Sequence, residues 1–146
     1  MPYYKLYYHI VWGTKNRQGI ILPDFESDLY RVMAAKVIDL DGIVHAIGGV
    51  EDHVHLLVGL RATHRLADVL KDIKSSSSKW VHEELKKPLF SWQEGYGAFT
   101  VSASQIEVVK NYIANQEEHH RKKTFQEEYL EFLKQSGVEY DEKYLW

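Results

Sequence analysis

The period of hydrophobic and polar positions changes along this chain, and each change marks an element. Over residues 3–12 the two kinds alternate. Leu6, Tyr8, Ile10 and Trp12 fall on one face and Lys5, Tyr7, His9 and Val11 on the other, which predicts a first strand. After a basic, polar loop at 15–19, Pro23 and Asp24 open a helix with Asp24 as its N-cap. Phe25, Leu29, Val32, Met33, Val37 and Leu40 keep helical spacing until Asp41 and Gly42 end it. Strands are predicted at 43–50 and 53–60. A second helix carries Leu66, Val69, Leu70, Ile73, Trp80 and Val81 on one stripe and stops at Pro88. Within 90–102 the aromatic, glycine-rich segment 92–101 predicts a fourth strand, entered through a short hairpin or bulge. A third helix follows Ser104 to about Gln116 with Ile106, Val109 and Ile113 inward, then a polar run at 117–123 and a last helix at 125–134.

The order β-α-β-β-α-β predicts an α+β, ferredoxin-like (split βαβ) sandwich: a four-stranded antiparallel sheet with two helices on one face. Strand one then lies beside strand three, which puts His9 next to His53 and His55. The third helix is the natural cover for the other face.

At 146 residues the chain is expected to form one domain, with a core over about 3–102, a helix at about 105–117 and a C-terminal helix and acidic tail at 124–146. It has no cysteine, which excludes disulfides, thiolate metal sites and a cysteine nucleophile. Neither a signal peptide nor an apolar run long enough for a membrane span is visible, so a cytoplasmic protein without a membrane partner is expected. The net charge of −3 is uneven: residues 1–123 carry +1 and residues 124–146 carry −4. A near-neutral body argues against an ordinary duplex binder but leaves open a single-strand binder that relies on stacking and a local groove.

The tract from Gly48 to Leu60 reads as a strand end, a polar turn and a strand with two histidines. Strand alternation points His53 and His55 the same way, ~6.6 Å apart along the backbone, and turns Val54, Leu56, Val58 and Leu60 toward the core. Alone, such a pair is more simply two histidines on a half-exposed sheet. On the third helix Tyr112 and Gln116 are i and i+4 and share one face. Two imidazoles and an amide oxygen make a three-ligand metal site with open positions for water and a phosphate oxygen. A tyrosine one turn away is then placed as a nucleophile, which needs activation because its ordinary pKa is ~10.

The tract Gly49-Val50-Glu51-Asp52-His53-Val54-His55-Leu56-Leu57 resembles the His-hydrophobe-His motif of the HUH endonucleases. The tract around Asn111-Tyr112-Ile113-Ala114-Asn115-Gln116 is similar to the tyrosine helix of their single-tyrosine transposases. Lys74-Ser75-Ser76-Ser77-Ser78-Lys79-Trp80 and Gly95-Tyr96-Gly97-Ala98-Phe99-Thr100-Val101-Ser102 resemble two further blocks of the same family, the IS-two-hundred/six-hundred-five insertion-sequence group. The resemblance covers nearly the whole chain. It implies a DNA transposase that cuts and rejoins single-stranded DNA at insertion-sequence ends bearing subterminal hairpins, through a 5′-phosphotyrosine at Tyr112. It implies Mg²⁺ or Mn²⁺ held by His53, His55 and Gln116. It also implies a homodimer in which the tyrosine helix of one subunit serves the His pair of the other, tethered by a flexible stretch at 95–104.

Lys15, Arg17, Lys74, Lys79 and Lys110 are candidates for phosphate contacts, though a solvated charge is the plainer role of each. The serines 75–78 would let a DNA backbone approach a helix, or else form a polar helix face. Asp52 is a turn residue that could also orient a histidine. His119 and His120 lie just past Gln116, and His45, His64 and His82 are assigned no function. The alternatives are a related HUH nuclease (replication initiator, relaxase or domesticated palindrome-processing enzyme), a non-catalytic nucleic-acid-binding module on the same sandwich, and a metallohydrolase using a metal-bound water.

Overall fold

The alternating segments form one four-stranded antiparallel sheet of order β2-β3-β1-β4. The computed structural model describes residues 2–120, 123–141 and 145. The strands are β1 (Tyr7–Gly13), β2 (Ile43–Val50), β3 (His53–Gly59) and β4 (Gly97–Val101), and the helices are α1 (Glu26–Asp39), α2 (Leu66–Glu84), α3 (Ile106–Ala114), α4 (Gln116–His120) and α5 (Phe125–Gln135). β1 pairs with both β3 and β4, and β2 closes the other edge on β3, so the topology is the predicted split βαβ sandwich. Among the described residues no helix is long and apolar enough to cross a membrane. The predicted acidic tail is described only through residue 141 and at residue 145, and the rest of it lies outside the described residues.

One sheet face carries Ile10, Trp12, Val54, Leu56 and Val58 against Leu29, Met33 and Val37 of α1 and Val69, Leu70, Ile73 and Val81 of α2. Each such side chain contributes ~1.5–3 kcal/mol when fully buried, so this layer supplies most of the apolar stabilisation. On the opposite face His9, His53 and His55 project beside Val11, which packs into a second, smaller apolar cluster with Phe125, Tyr129 and Leu133 of α5.

Several features differ from the expectation for physical reasons, and β4 begins at Gly97 because Trp92 makes only an isolated bridge to Thr14. β1 starts at Tyr7 rather than at residue 3, because Tyr7 faces Gly59 and Val101, the last residues of its two partner strands. Tyr3 and Tyr4 have no ladder to join and are exposed. Asp24 does not cap α1. The turn closed by Phe25 N and Glu26 N on the Leu22 carbonyl oxygen puts buried Phe25 at the N-cap, so apolar anchoring prevails over capping chemistry. Residues 95–104 are not a flexible tether but mainly β4 and a 3₁₀ turn at Ala103–Gln105. Finally, α3 ends at Ala114, Asn115 leaves helical geometry at φ −104° and ψ 25°, and the polar run resumes as α4 through His120.

Gly48 determines how closely α3 approaches the sheet. A Cβ there would lie 2.6 Å from the Ile113 carbonyl oxygen and 2.9 Å from its Cγ2, so only glycine permits this packing. Gly48 is the cross-strand partner of His55, so the close approach brings α3 directly over the histidines.

Candidate metal centre and nucleophile

His53 and His55 leave β3 on the face away from the core, as the alternation predicts, but neither is half-exposed: both have no accessible surface. β1 brings His9 alongside, with its Nε2 2.8 Å from His55 Nδ1. The Asp52 carboxylate, in the turn before β3, accepts a hydrogen bond from His53 Nδ1 at 2.7 Å. Asp52 therefore both turns the chain and orients a histidine. The arrangement commits the Nδ1 proton of His53, so in the neutral ring Nε2 presents a lone pair.

That lone pair faces oxygen acceptors. Gln116 Oε1 is 3.2 Å from His53 Nε2 and Glu128 Oε1 is 3.6 Å away. Glu128 Oε1 also lies 2.9 Å from His55 Nε2. Two imidazole nitrogens, an amide oxygen and a carboxylate oxygen thus converge in a space from which water is excluded. The ligand-type atoms of His53, His55 and Glu128 all lie within 4.8 Å of one another. Acceptors facing acceptors in a buried cluster are unfavourable unless a proton or cation lies between them, and a donor set of nitrogen and oxygen without sulfur suits a divalent cation. The residues fit a divalent metal of the kind that the resemblance implies.

Tyr112 and Gln116 remain neighbours despite the break at Asn115, with Gln116 Nε2 donating to the Tyr112 carbonyl oxygen at 3.4 Å. The Tyr112 ring is edge-on to His55, with centroids 5.7 Å apart, and its hydroxyl donates to Glu128 Oε2. Burial first, and the hydrogen bond to the Glu128 carboxylate second, push the phenol above its ordinary range. Burial, reinforced by His55 and opposed by Glu128, lowers His9 to about 3. All four predicted site residues are therefore brought together, within one chain.

The basic candidates behave differently from one another. Lys74 donates to the carbonyl oxygens of Gln93, Glu94 and Gly95 at 2.9, 3.2 and 2.7 Å, pinning the loop before β4. Lys79 is exposed on α2, the layer behind the sheet. Lys110 pairs with Glu107 at 3.7 Å near the surface, and Lys15 is exposed in the loop after β1. With the Gln126 amide turned so that its oxygen faces Arg17, the guanidinium donates to it from beneath α5. Among the serines, Ser77 is buried and accepts from Trp92 Nε1 at 3.0 Å, a packing role rather than a DNA contact. The side chains of His119 and His120 lie outside the described residues.

Sequence reasoning missed Glu128. The signal was present: Phe125, Tyr129, Phe132 and Leu133 form an apolar stripe on α5, and Glu128 falls inside it. A carboxylate on a buried stripe needs a partner.

Residues 2–116 match the family model described as "Transposase IS200 like". The chain is 28% identical over 123 residues to the ISDra2 transposase TnpA of Deinococcus radiodurans, spanning 77% of this chain and 85% of that protein. A solved structure of a candidate transposase from Deinococcus radiodurans superposes with a TM-score of 0.64 at 28% identity, covering 79% of this chain and 93% of that one. The structure of a REP-associated tyrosine transposase bound to a REP hairpin shares the fold, with a TM-score of 0.62 at 15% identity, over 82% of this chain and 72% of that one.

Proposed function

The chain belongs to the IS200-like transposase family and is a DNA transposase, and we propose that it works by transesterification at Tyr112 beside a cation held by His53, His55 and Gln116. The observation that carries this reading is the convergence of the Tyr112 ring, the two histidine Nε2 atoms and Gln116 Oε1 on one sheet face. Mg²⁺ or Mn²⁺ bound there would act as a Lewis acid on the scissile phosphate, stabilising the charge that builds on its oxygens.

The chain's own residues do the rest. Asp52 and His9 hold the histidine rings in the orientation that aims Nε2 into the centre. The Tyr112 oxygen forms a bond to phosphorus, the bond from phosphorus to the 3′ oxygen breaks, and the phenol proton ends on that oxygen through solvent. The products are a 5′-phosphotyrosine and a free 3′ hydroxyl. Because the ester conserves the energy of the phosphodiester, a second 3′ hydroxyl can reverse the step and rejoin strands without ATP.

The substrate in this reading is single-stranded DNA at insertion-sequence ends flanked by hairpins. The hairpin carried by a neighbour of the same fold supports it. A homodimer remains part of the proposal, with the tyrosine helix of one subunit serving the His pair of the other; within a single chain Tyr112 rests beside its own His pair. Mixing a Tyr112→Phe protein with a His53→Ala protein tests this. Continued inactivity is the result for a site used in cis, and restored cleavage would mean that α3 is exchanged between subunits.

The direct test uses single-stranded hairpin DNA with Mn²⁺. The protein should form a DNA adduct that survives denaturation, Tyr112→Phe should form none, and His53→Ala and His55→Ala should lose both cleavage and metal binding. Cleavage persisting in Tyr112→Phe would favour a metallohydrolase. A non-catalytic module that stacks bases on the open sheet has no support here, because α3 and α5 cover the face it would use.

A further inference from the structure

α5 lies beyond residue 116, where the family match ends, and yet it penetrates the centre. It has its own start signal, Thr124 Oγ1 accepting from Glu127 N at 3.2 Å. Phe125 stacks on His53 with ring centroids 4.2 Å apart and planes at 12°. Phe132 stands edge-on to His9 and Tyr112 at 5.1 and 5.7 Å. Between the two rings, Glu128 directs one oxygen to His55 Nε2 and the other to the Tyr112 hydroxyl.

A phosphodiester attacked by Tyr112 at this centre must occupy that same place. One of its non-bridging oxygens has to lie toward the His53 and His55 nitrogens while its phosphorus lies beside the Tyr112 oxygen. The Glu128 carboxyl group already matches this demand in shape: it presents two oxygens and turns one to each side. It also seals the approach, since Gln116 is 2% exposed, Glu128 3%, and the two histidines not at all. Carboxylate and phosphate cannot both be there.

We propose that Glu128 holds the place of the scissile phosphate in the free protein, so that α5 closes the site until single-stranded DNA displaces it. The proposal rests on the reading of His53, His55, Gln116 and Tyr112 given above. In the closed state Glu128 Oε1 would join His53, His55 and Gln116 in holding a cation. On opening, that position passes to the DNA. The remaining attachments of α5 suit a displaceable element. Its apolar anchor, Val11, Phe125, Tyr129 and Leu133 with Phe99, Tyr140 and Leu145 packed against them, is separate from the main core, and the Lys123–Glu131 pair is surface-exposed and contributes little. Arg17, now held by Gln126 of α5, would be released to meet the backbone of the incoming strand. DNA shifts this equilibrium only through its preference for the open form, so weakening the closed form must tighten DNA binding.

The test compares the full-length protein with Glu128→Gln, which removes the charge and keeps the shape, and with Thr124→Ala, which loosens α5 without touching the centre. Three quantities are read: Mn²⁺ affinity by calorimetry without DNA, the Kd for a single-stranded oligonucleotide carrying one hairpin in EDTA, and the cleavage rate in Mn²⁺. Glu128→Gln should bind Mn²⁺ more weakly, bind the oligonucleotide about tenfold more tightly, equivalent to ~1.4 kcal/mol, and cleave faster. Thr124→Ala should move all three in the same directions by less. Slower cleavage by Glu128→Gln at unchanged DNA affinity would make Glu128 a base in the reaction and overturn the proposal, as would no change in any quantity. His53→Ala, run in parallel, separates the two readings: if it is inactive while Glu128→Gln matches the parent, only the plug fails.

Discussion

His9 Nε2 lies 2.8 Å from His55 Nδ1, the rings stacked with centroids 5.0 Å apart, although the two residues are 46 positions apart in the chain. For His55 Nε2 to offer a lone pair to a cation, its proton must sit on Nδ1 and be accepted by His9. His9 would therefore fix, from an adjacent strand, the tautomer and plane of the metal ligand proposed at His55.

Replacing His9 with leucine should keep the fold, since the site is buried and the substitution apolar, yet weaken metal binding. Losing such an orienting partner typically costs 10–100-fold in affinity. Mn²⁺ titration of His9→Leu should show a loss in that range. An unchanged affinity would mean that β3 alone holds His55 in place.

The same burial predicts how acid acts on metal-free protein. His9 is lowered from 6.5 to about 3 by burial first and by His55 second, so between those values the unfolded chain binds a proton that the folded chain refuses. Stability contributed by neutral His9 is thus present in full above pH 6.5 and falls as pH drops toward 3. Thermal melts in EDTA should show Tm declining over that window, and the decline should be shallower in His9→Leu. Equal slopes in the two proteins would remove His9 from the acid response.

Gly48→Ala tests whether the close approach of α3 matters to the chemistry. The added carbon would meet Ile113 backbone at 2.6 Å, so α3 must move, at a cost of about 1–3 kcal/mol of stability. A displacement of about 1 Å at a reacting group can lower a rate about 100-fold. Cleavage should fall far more than the melting temperature alone would explain. Gly59→Ala is the control on β3, since its Cβ would meet nothing closer than 3.5 Å and should leave cleavage near the parent.

Much of this was legible in the sequence because regular elements impose regular spacing. Two-residue alternation placed His53 and His55 together, strand order placed His9 beside them, and the i,i+4 relation paired Tyr112 with Gln116. Glu128 was not legible in this way. It reaches His55 from 73 residues away, and only tertiary packing decides whether a helix bearing a carboxylate turns it to solvent or inward. Lys74 illustrates the same limit: its charge suggested phosphate, and three carbonyl oxygens of a distant loop take it instead. The start of β1 was overextended because alternation continues in sequence past the point where partner strands end.

The most direct measurement is the identity of the residue that carries the DNA. Protein incubated with single-stranded hairpin DNA and Mn²⁺ is denatured, digested with protease and nuclease, and the nucleotide-bearing peptide is sequenced by mass spectrometry. The account predicts one modified peptide, with a 5′-phosphoryl nucleotide on Tyr112 and the adduct lost when His53 is replaced by alanine. A nucleotide on any other residue, or cleavage that leaves free 5′ phosphate and no modified peptide, would contradict it.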